Sequence, residues 1–391
     1  MTVIVIGGGI VGLASAYELA ARDIDVVVCE QGSIGNGSTE RAAGGIRAQF
    51  STPVNVDLSL ASMRTWEAFE ERFGTDIDYR RTGYLFLARS EDTAARLETT
   101  VAMQNERGVP SEVLEPETAH ARCPGIDPER FVAATYSPTD GFADPHLALQ
   151  GYARAAADAG VDVRTKTPVV DVLRERSVAN GSDDDGRVTG VETPDGRLEA
   201  EFVVNAAGPW AGEIAATADV PLPIAPKRRQ IAIVEPERPA PETDPFAIDL
   251  EGGSYFRPDR DGDALVGGHF GESNPDAEPD AYARSMDFEW AVDALESVSE
   301  WATYFGPESA IKRGWAGLYA VTPDDSAIVE ETVPGFVTAA GFSGHGFQHA
   351  PATGKLVAEL VTEGEASLVD IESLSSDRFD RSVERAERNV V

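Results

Sequence analysis

Residues 1–30, MTVIVIGGGIVGLASAYELAARDIDVVVCE, restrict the fold more than any other stretch of the chain. Thr2 to Ile6 is a short apolar run rich in β-branched residues and reads as a buried strand. Gly7-Gly8-Gly9-Ile10-Val11-Gly12 follows and opens an alanine-rich helix, and Asp25 to Cys29 reads as a second strand ending at Glu30. This is the layout of a β-α-β dinucleotide-binding unit. Gly7 permits the tight turn, Gly9 lets a pyrophosphate reach the backbone, and Gly12 lets helix and strand pack closely. The helix start at Ile10 and Val11 offers unpaired N–H groups and a positive dipole. Glu30, with Gln31 beside it, stands where a carboxylate accepts hydrogen bonds from ribose hydroxyls, which argues against a 2′-phosphate. A lone G-x-G-x-x-G would carry little weight. Strand, turn, helix, strand and acid in order carry much.

The same stretch has no charge between residue 3 and Glu18 and could be mistaken for a signal anchor. No basic segment precedes it and three adjacent glycines interrupt it, so it reads as fold rather than address. At 391 residues the chain is long enough for two domains. Its charge is unusual: 33 Lys and Arg against 67 Asp and Glu give a net −34. Such a surface repels nucleic acid and anionic membranes, so neither is expected as a partner. The lysines are Lys166, Lys227, Lys312 and Lys355; arginine supplies the rest. Acid-rich, lysine-poor composition resembles the cytoplasmic proteins of salt-loving archaea, where salt screens self-repulsion. An acidic docking surface for a basic redox partner is the rival reading, and the dispersal of the acids favours salt adaptation. Two distant cysteines, Cys29 and Cys123, exclude a cysteine-ligated iron–sulfur cluster and a disulfide scaffold within this chain. With neither an apolar span nor a leader, a cytoplasmic protein is expected.

Further along, 32–50 is a glycine- and serine-rich loop, 54–73 an amphipathic helix, 83–88 a strand and 91–107 a polar helix. Helix 146–159 leads into a meander over 161–208, with 180–186 (NGSDDDG) as a solvated hairpin tip. Residues 202–212 and 335–361 repeat the pattern of strand, glycine turn and helix. Residues 224–235 and 254–270 read as strands of a second sheet, 286–305 as helical, and the tail from 365 as a docked or fraying helix.

GGGIVGLASAYELA, GSTERAAGGIRAQF, VVNAAGPWA, GGSYFRPDRDGDALVGGHFG, YAVTPDDSAIV and AAGFSGHGFQHAPATGK together resemble the D-amino-acid-oxidase-like flavoproteins. The likeness is closest to the branch of sarcosine oxidase, dimethylglycine dehydrogenase and the archaeal proline dehydrogenase β-subunit. It implies an α/β fold (α+β overall). A Rossmann-like FAD-binding domain (1–77, 146–217, 320–391) would be interleaved with a smaller mixed antiparallel-sheet substrate domain (78–145, 218–319). It also implies FAD, with Gly7, Gly9, Gly12 and Glu30 holding the adenosine diphosphate half. Ser38, Thr39 and Arg41 would reach the pyrophosphate, Ala43 and Gly44 the flavin, Val169 adenine, and Ala207, Gly208 and Trp210 the ribityl side. Gly341, Gly344, His345, Gly346 and Gln348 would surround the pyrimidine end, where a helix N-terminus stabilises negative charge.

Some relatives attach flavin covalently through a histidine or a cysteine. Here those positions hold Arg41 and Gly317, so the FAD is expected to be non-covalent. Arg47 in GGIRAQF matches a carboxylate-binding arginine, whose planar fork suits an amino acid. Tyr255 and His269 match active-site residues of the same branch, and Gln348 stands where a substrate-binding lysine is found. Oxygen-using relatives also carry a lysine where this chain has Leu265. Losing both cations points away from a sarcosine oxidase. The resemblance therefore implies FAD-dependent oxidation of an amino acid, preferably a secondary or N-methylated amine, by hydride transfer to flavin N5, with a dehydrogenase favoured over an oxidase. The electron acceptor stays open between oxygen, a quinone and a redox subunit. D-amino-acid or 2-hydroxy-acid dehydrogenation, or service as the flavin subunit of a larger complex, are the alternatives.

Overall fold

The structure is a computed structural model that describes residues 1–175, 186–270, 274–380 and 386–389. The expected hairpin tip at 180–186 therefore lies, but for its last residue, outside the described residues. Strand Thr2–Ile6 runs parallel between Asp25–Cys29 and Phe202–Asn205, buried on both faces, which is why it reads as continuous Val and Ile. The full six-stranded sheet adds Asp162–Arg164 beyond Asp25–Cys29, and Phe336–Ala340 with antiparallel Ile328–Val333 on the far side. Asp162–Arg164 thus belongs to this sheet and not to the expected meander. The meander shrinks to a three-stranded antiparallel sheet of Asp171–Glu175, Arg187–Thr193 and Gly196–Glu199.

Two helices cross on one face of the sheet. Helix Ile10–Ala20 and helix Gly346–Glu363 meet at Gly354, where an added Cβ would lie 2.7 Å from the Ala14 carbonyl. Only glycine allows the two backbones so close. The helix expected at 54–73 is two helices, Pro53–Glu67 and Phe69–Phe73, parted at Ala68.

The second layer is an eight-stranded sheet in the order Ala310–Val321, Ala225–Glu235, Ala264–Gly268, Ser254–Pro258, Phe246–Asp249, Tyr84–Ala88, Ala133–Ser137, Glu112–Leu114. Its pairs are antiparallel except Phe246–Asp249 with Tyr84–Ala88. Side chains alternate across it. Ala232, Val234, Ala247, Phe256 and Val266 pack on one side with helix Phe288–Ser299 and Trp301. Ile231, Ile248, Tyr255, Leu265 and Phe86 share the other side. A two-stranded ladder, Gly45–Ile46 with Gly141–Phe142, ties the glycine-rich loop of 32–50 to residues that follow the eight-stranded sheet's strand Ala133–Ser137.

Among its described residues the tail from 365 has short 3-10 turns, Glu372–Leu374 and Ser376–Asp380, where a helix was expected. Farther on, the buried Glu387 carboxylate closes the N-terminus of helix Pro53–Glu67, whose cap residue Thr52 accepts none of the helix N–H groups on its own side chain. It accepts from the Ser51 N–H (2.7 Å), the Thr52 N–H (3.1 Å), both hydroxyls, and Asn55 Nδ2 (3.1 Å). Burial pushes its pKa up, but these bonds, the Ser51 N–H foremost, outweigh that and hold it below the usual carboxylate range.

Two outcomes follow from these contacts. Gly354→Val should lower stability by about 1–3 kcal/mol in chemical unfolding, through forced separation of the crossed helices. Glu387→Gln should cost about 1–3 kcal/mol at neutral pH. Because the folded pKa is depressed, that loss should be full above the ordinary glutamate value and shrink as pH falls through the folded one. Unfolding curves of both proteins across that range measure it.

Candidate flavin and substrate site

A cavity of about 620 Å³ joins the first glycine turn to the inner face of the eight-stranded sheet. Every expected cofactor residue borders it except Gly12, which sits behind the turn. A Cβ on Gly12 would lie 1.9 Å from the Gly7 carbonyl oxygen, so its task is to seat helix on strand. Glu30 is locked in place: its carboxylate accepts from Gly8 N–H (2.8 Å) and Gly32 N–H (2.7 Å). Thr39 Oγ1 accepts the otherwise orphaned Ile10 N–H (3.1 Å), which binds the loop to the helix start. Ser38 Oγ donates to the Leu318 carbonyl (2.6 Å), bringing the eight-stranded sheet to the same loop. Gly208 has φ +55° and its Cβ position faces open space. Glycine backbone, a fixed acid and a helix N-terminus on one elongated wall fit a dinucleotide.

At the other end, helix Gly346–Glu363 points its N-terminus at the cavity through Gly344, His345 and Gly346. The side chain of its cap residue, His345, accepts none of the helix's first N–H groups, so these and the dipole remain available to negative charge. The histidines behind them are neutral. His345 Nε2 lies 2.8 Å from the Asp325 carbonyl, which can only accept, so that nitrogen carries the proton. His345 Nδ1 then accepts from His349 Nδ1 at 3.2 Å, and His349 Nε2 accepts from the Ser59 hydroxyl at 2.9 Å. Burial lowers the His345 pKa to about 4 and holds His349 well below its ordinary value, the latter helped by its neighbour.

Of the expected substrate residues, Arg47, Tyr255 and Gln348 meet in the cavity wall and His269 does not line it. Gln348 Oε1 accepts the Arg47 backbone N–H at 2.9 Å, coupling the flavin-side helix to the arginine. The Arg47 guanidinium lies 3.9 Å over the Phe50 ring; Nη1 donates to the Gln49 carbonyl (2.7 Å) and Nη2 to the Asn389 carbonyl. Burial lowers its pKa, and Tyr84, Glu387, Asp140 and Tyr319 act in the opposite direction. Tyr255 crosses Gly267, where any Cβ would meet its ring at 2.2 Å, and burial holds its phenol well above the ordinary value. His269 stands beyond Gly267 on the same face, in the row of Arg229; burial, then Arg229 and Lys227, lower its pKa. Leu265 is buried on that face too.

Several wall residues were not anticipated. Tyr84 and Tyr319 border the cavity, with the Tyr84 hydroxyl over Gly45 and the Tyr319 ring against Gly344. Arg229 borders it from strand Ala225–Glu235, and Asn389 reaches it from the tail. Buried Asp140 accepts from the Ala48 N–H (3.0 Å) and Gln49 Nε2 (3.2 Å) behind Arg47; burial raises its pKa to about 6. A Thr-Asp-Gly run such as 139–141 is a common surface-turn signal, and the pairing of Gly141–Phe142 is what draws this one inward. The two positions at which relatives carry flavin-bonding residues face each other: a Cβ on Gly317 would lie 2.9 Å from Arg41 Cβ. Arg41 is held by the Asn36 (2.7 Å) and Gly37 (2.8 Å) carbonyls. Among the described residues no helix is long and apolar enough to cross a membrane.

Known proteins agree with this geometry. The chain is 31% identical to FAD-dependent oxidoreductase domain-containing protein 1 of Xenopus laevis, over all of this chain and 84% of that one. It is 28% identical to the mitochondrial dimethylglycine dehydrogenase of Rattus norvegicus over 96% of its own length, which spans 44% of that protein. The L-proline dehydrogenase of P. horikoshii superposes with a TM-score of 0.86 at 33% identity, over 97% of this chain and 98% of that one. The glycine oxidase of Geobacillus kaustophilus gives 0.81 at 26% identity, over 96% and 98%. Residues 2–360 match the model of the DAO family, and the chain is a member of these FAD-dependent oxidoreductases.

Proposed function

We propose that this flavoprotein oxidises an amino acid at a carbon bonded to nitrogen, with a secondary or N-methylated amine preferred, and that it is a dehydrogenase. The observation that carries the reading is Arg47: a buried guanidinium on the wall where the glycine-lined cavity meets an apolar and tyrosine-lined sheet face. FAD, when bound, supplies the two-electron acceptor. The protein's work is positional. Arg47 holds the substrate carboxylate, and Tyr84, Tyr255, Ile231 and Ile248 exclude water from the adjoining carbon. A neutral amine loses hydride from that carbon as its nitrogen lone pair forms the C=N bond of an iminium ion, and water then cleaves that ion to a carbonyl and an amine with release of a proton. The available N-terminus of helix Gly346–Glu363 offers positive potential for charge gained at the cofactor. Leu265 and Gln348, in place of cations, support an acceptor other than oxygen. Arg41 and Gly317, neither a flavin nucleophile, support a non-covalent cofactor.

Acid precipitation should release the yellow chromophore completely into the supernatant, and colour retained in the pellet would contradict a non-covalent cofactor. Anaerobic mixing with sarcosine, N,N-dimethylglycine or proline should bleach the flavin, and failure of every carboxylate amine would end the proposal. In Arg47→Met the substrate concentration for half-maximal bleaching should rise about 100-fold, as expected for truncating one partner of a buried charge pair, with the flavin spectrum retained. An unchanged half-saturation would remove Arg47 from the substrate site.

A further inference from the structure

Arg229 is a second cation in the same wall that none of the chemistry so far uses. It lies on strand Ala225–Glu235, opposite Gly317, on the face that carries Ile231, and it borders the cavity. Its guanidinium sits 5.5 Å over the Tyr319 ring. Tyr319 feels both cations: burial raises its pKa, and first Arg229 and then Arg47 pull it back. The two guanidiniums therefore flank one tyrosine across the substrate end of the cavity.

Neither guanidinium has a carboxylate within 4 Å among the described residues, in a chain with twice as many acids as bases. Arg229 is held by one nitrogen: Nη1 donates to the Arg228 carbonyl (3.1 Å) and to Asn274 Oδ1 (2.9 Å). Its Nε is buried with no acceptor among the described residues. A buried unsatisfied donor is costly, and Nε with Nη2 forms the edge of a guanidinium that receives a carboxylate in a paired fashion. His269, in the same row, is kept towards its neutral form by burial and by Arg229 and Lys227, so it adds no opposing charge.

Resting on the oxidation proposed above, we infer that the substrate is an amino dicarboxylate: one carboxylate on Arg47, a second on the free edge of Arg229, with the reacting carbon between them. A lone monocarboxylate leaves one of the two cations, buried Arg47 or half-buried Arg229, uncompensated.

The test compares N-methylglutamate with N-methylglutamine, which match in shape and differ by one charge, using anaerobic flavin bleaching of the holoenzyme. The dicarboxylate should half-saturate at a concentration at least tenfold lower. In Arg229→Gln that advantage should collapse to near unity, because the dicarboxylate loses much more than N-methylglutamine does; Arg229→Lys should restore part of it. Glutarate, which cannot react, should perturb the flavin spectrum of the unaltered protein and not of Arg229→Gln. Equal response to the two amines, or an advantage that survives Arg229→Gln, overturns the dicarboxylate assignment and leaves the oxidation reading standing. Bleaching by neither amine nor any monocarboxylate overturns both. If Arg229→Gln instead weakens sulfite addition to the flavin and slows both amines alike, Arg229 serves the cofactor and the assignment is wrong.

Discussion

A backbone contact between Gly12 and Gly7 sets the rest of the molecule in place. With no Cβ at Gly12, helix Ile10–Ala20 lies directly against the carbonyl at the end of strand Thr2–Ile6. Its N-terminus then opens over the carboxyl edge of the parallel strands, where ligands of such sheets gather. Gly354 repeats the device one layer out and brings helix Gly346–Glu363 across the first helix at backbone contact. Two helix starts thus converge on one cavity from different directions, one at Gly9–Ile10 and one at His345–Gly346. Convergent partial positive charge from the helix starts, together with Arg41 in the wall, is what a net-negative chain offers an anionic cofactor.

The substrate end is built on a different principle. The eight-stranded sheet contributes flat apolar area, and glycines opposite tyrosines let the rings lie down on it: Tyr255 over Gly267, Tyr84 over Gly45, Tyr319 against Gly344. Into this surface the two arginines are sunk with carbonyl and aromatic partners rather than carboxylates. Elsewhere arginines are commonly engaged, as in Arg378 with Asp324 or Arg89 with Asp249. The contrast separates charges that stabilise structure from charges available to a ligand.

The local motifs were legible because their information is local. A glycine turn between a β-branched run and an alanine-rich helix states its own geometry, and strands Tyr84–Ala88 and Ala225–Glu235 show plain apolar runs. What was not legible depends on distant partners. Ala310–Val321 mixes Lys, Arg, Gly and Trp without clean alternation and becomes a strand by pairing along Ala225–Glu235. Phe246–Asp249 and Ala133–Ser137 are short runs in turn-rich stretches, held by Tyr84–Ala88. Arg229 is the last of three successive cations, Lys227 to Arg229, and nothing in that run tells it from its neighbours; its place on the face that carries Ile231 puts it at the cavity. Glu387 and Asn389 lie in a polar tail with no periodicity, so nothing nearby announces that one caps a helix and the other meets Arg47.

The interleaving of the six-stranded sheet has a consequence for how the molecule comes into being. Val3 pairs with Phe202, and Val203 in turn with Phe336, so the first strand has one neighbour close in sequence, Asp25–Cys29, and the other far along the chain. During synthesis the amino-terminal unit emerges early but lacks both that neighbour and the second helix start. The cavity wall is completed only when Asn389 has left the ribosome. One cavity thus draws its wall from Ile6 through Asn389, and such long-range contacts slow folding, while bound flavin favours the folded state by mass action.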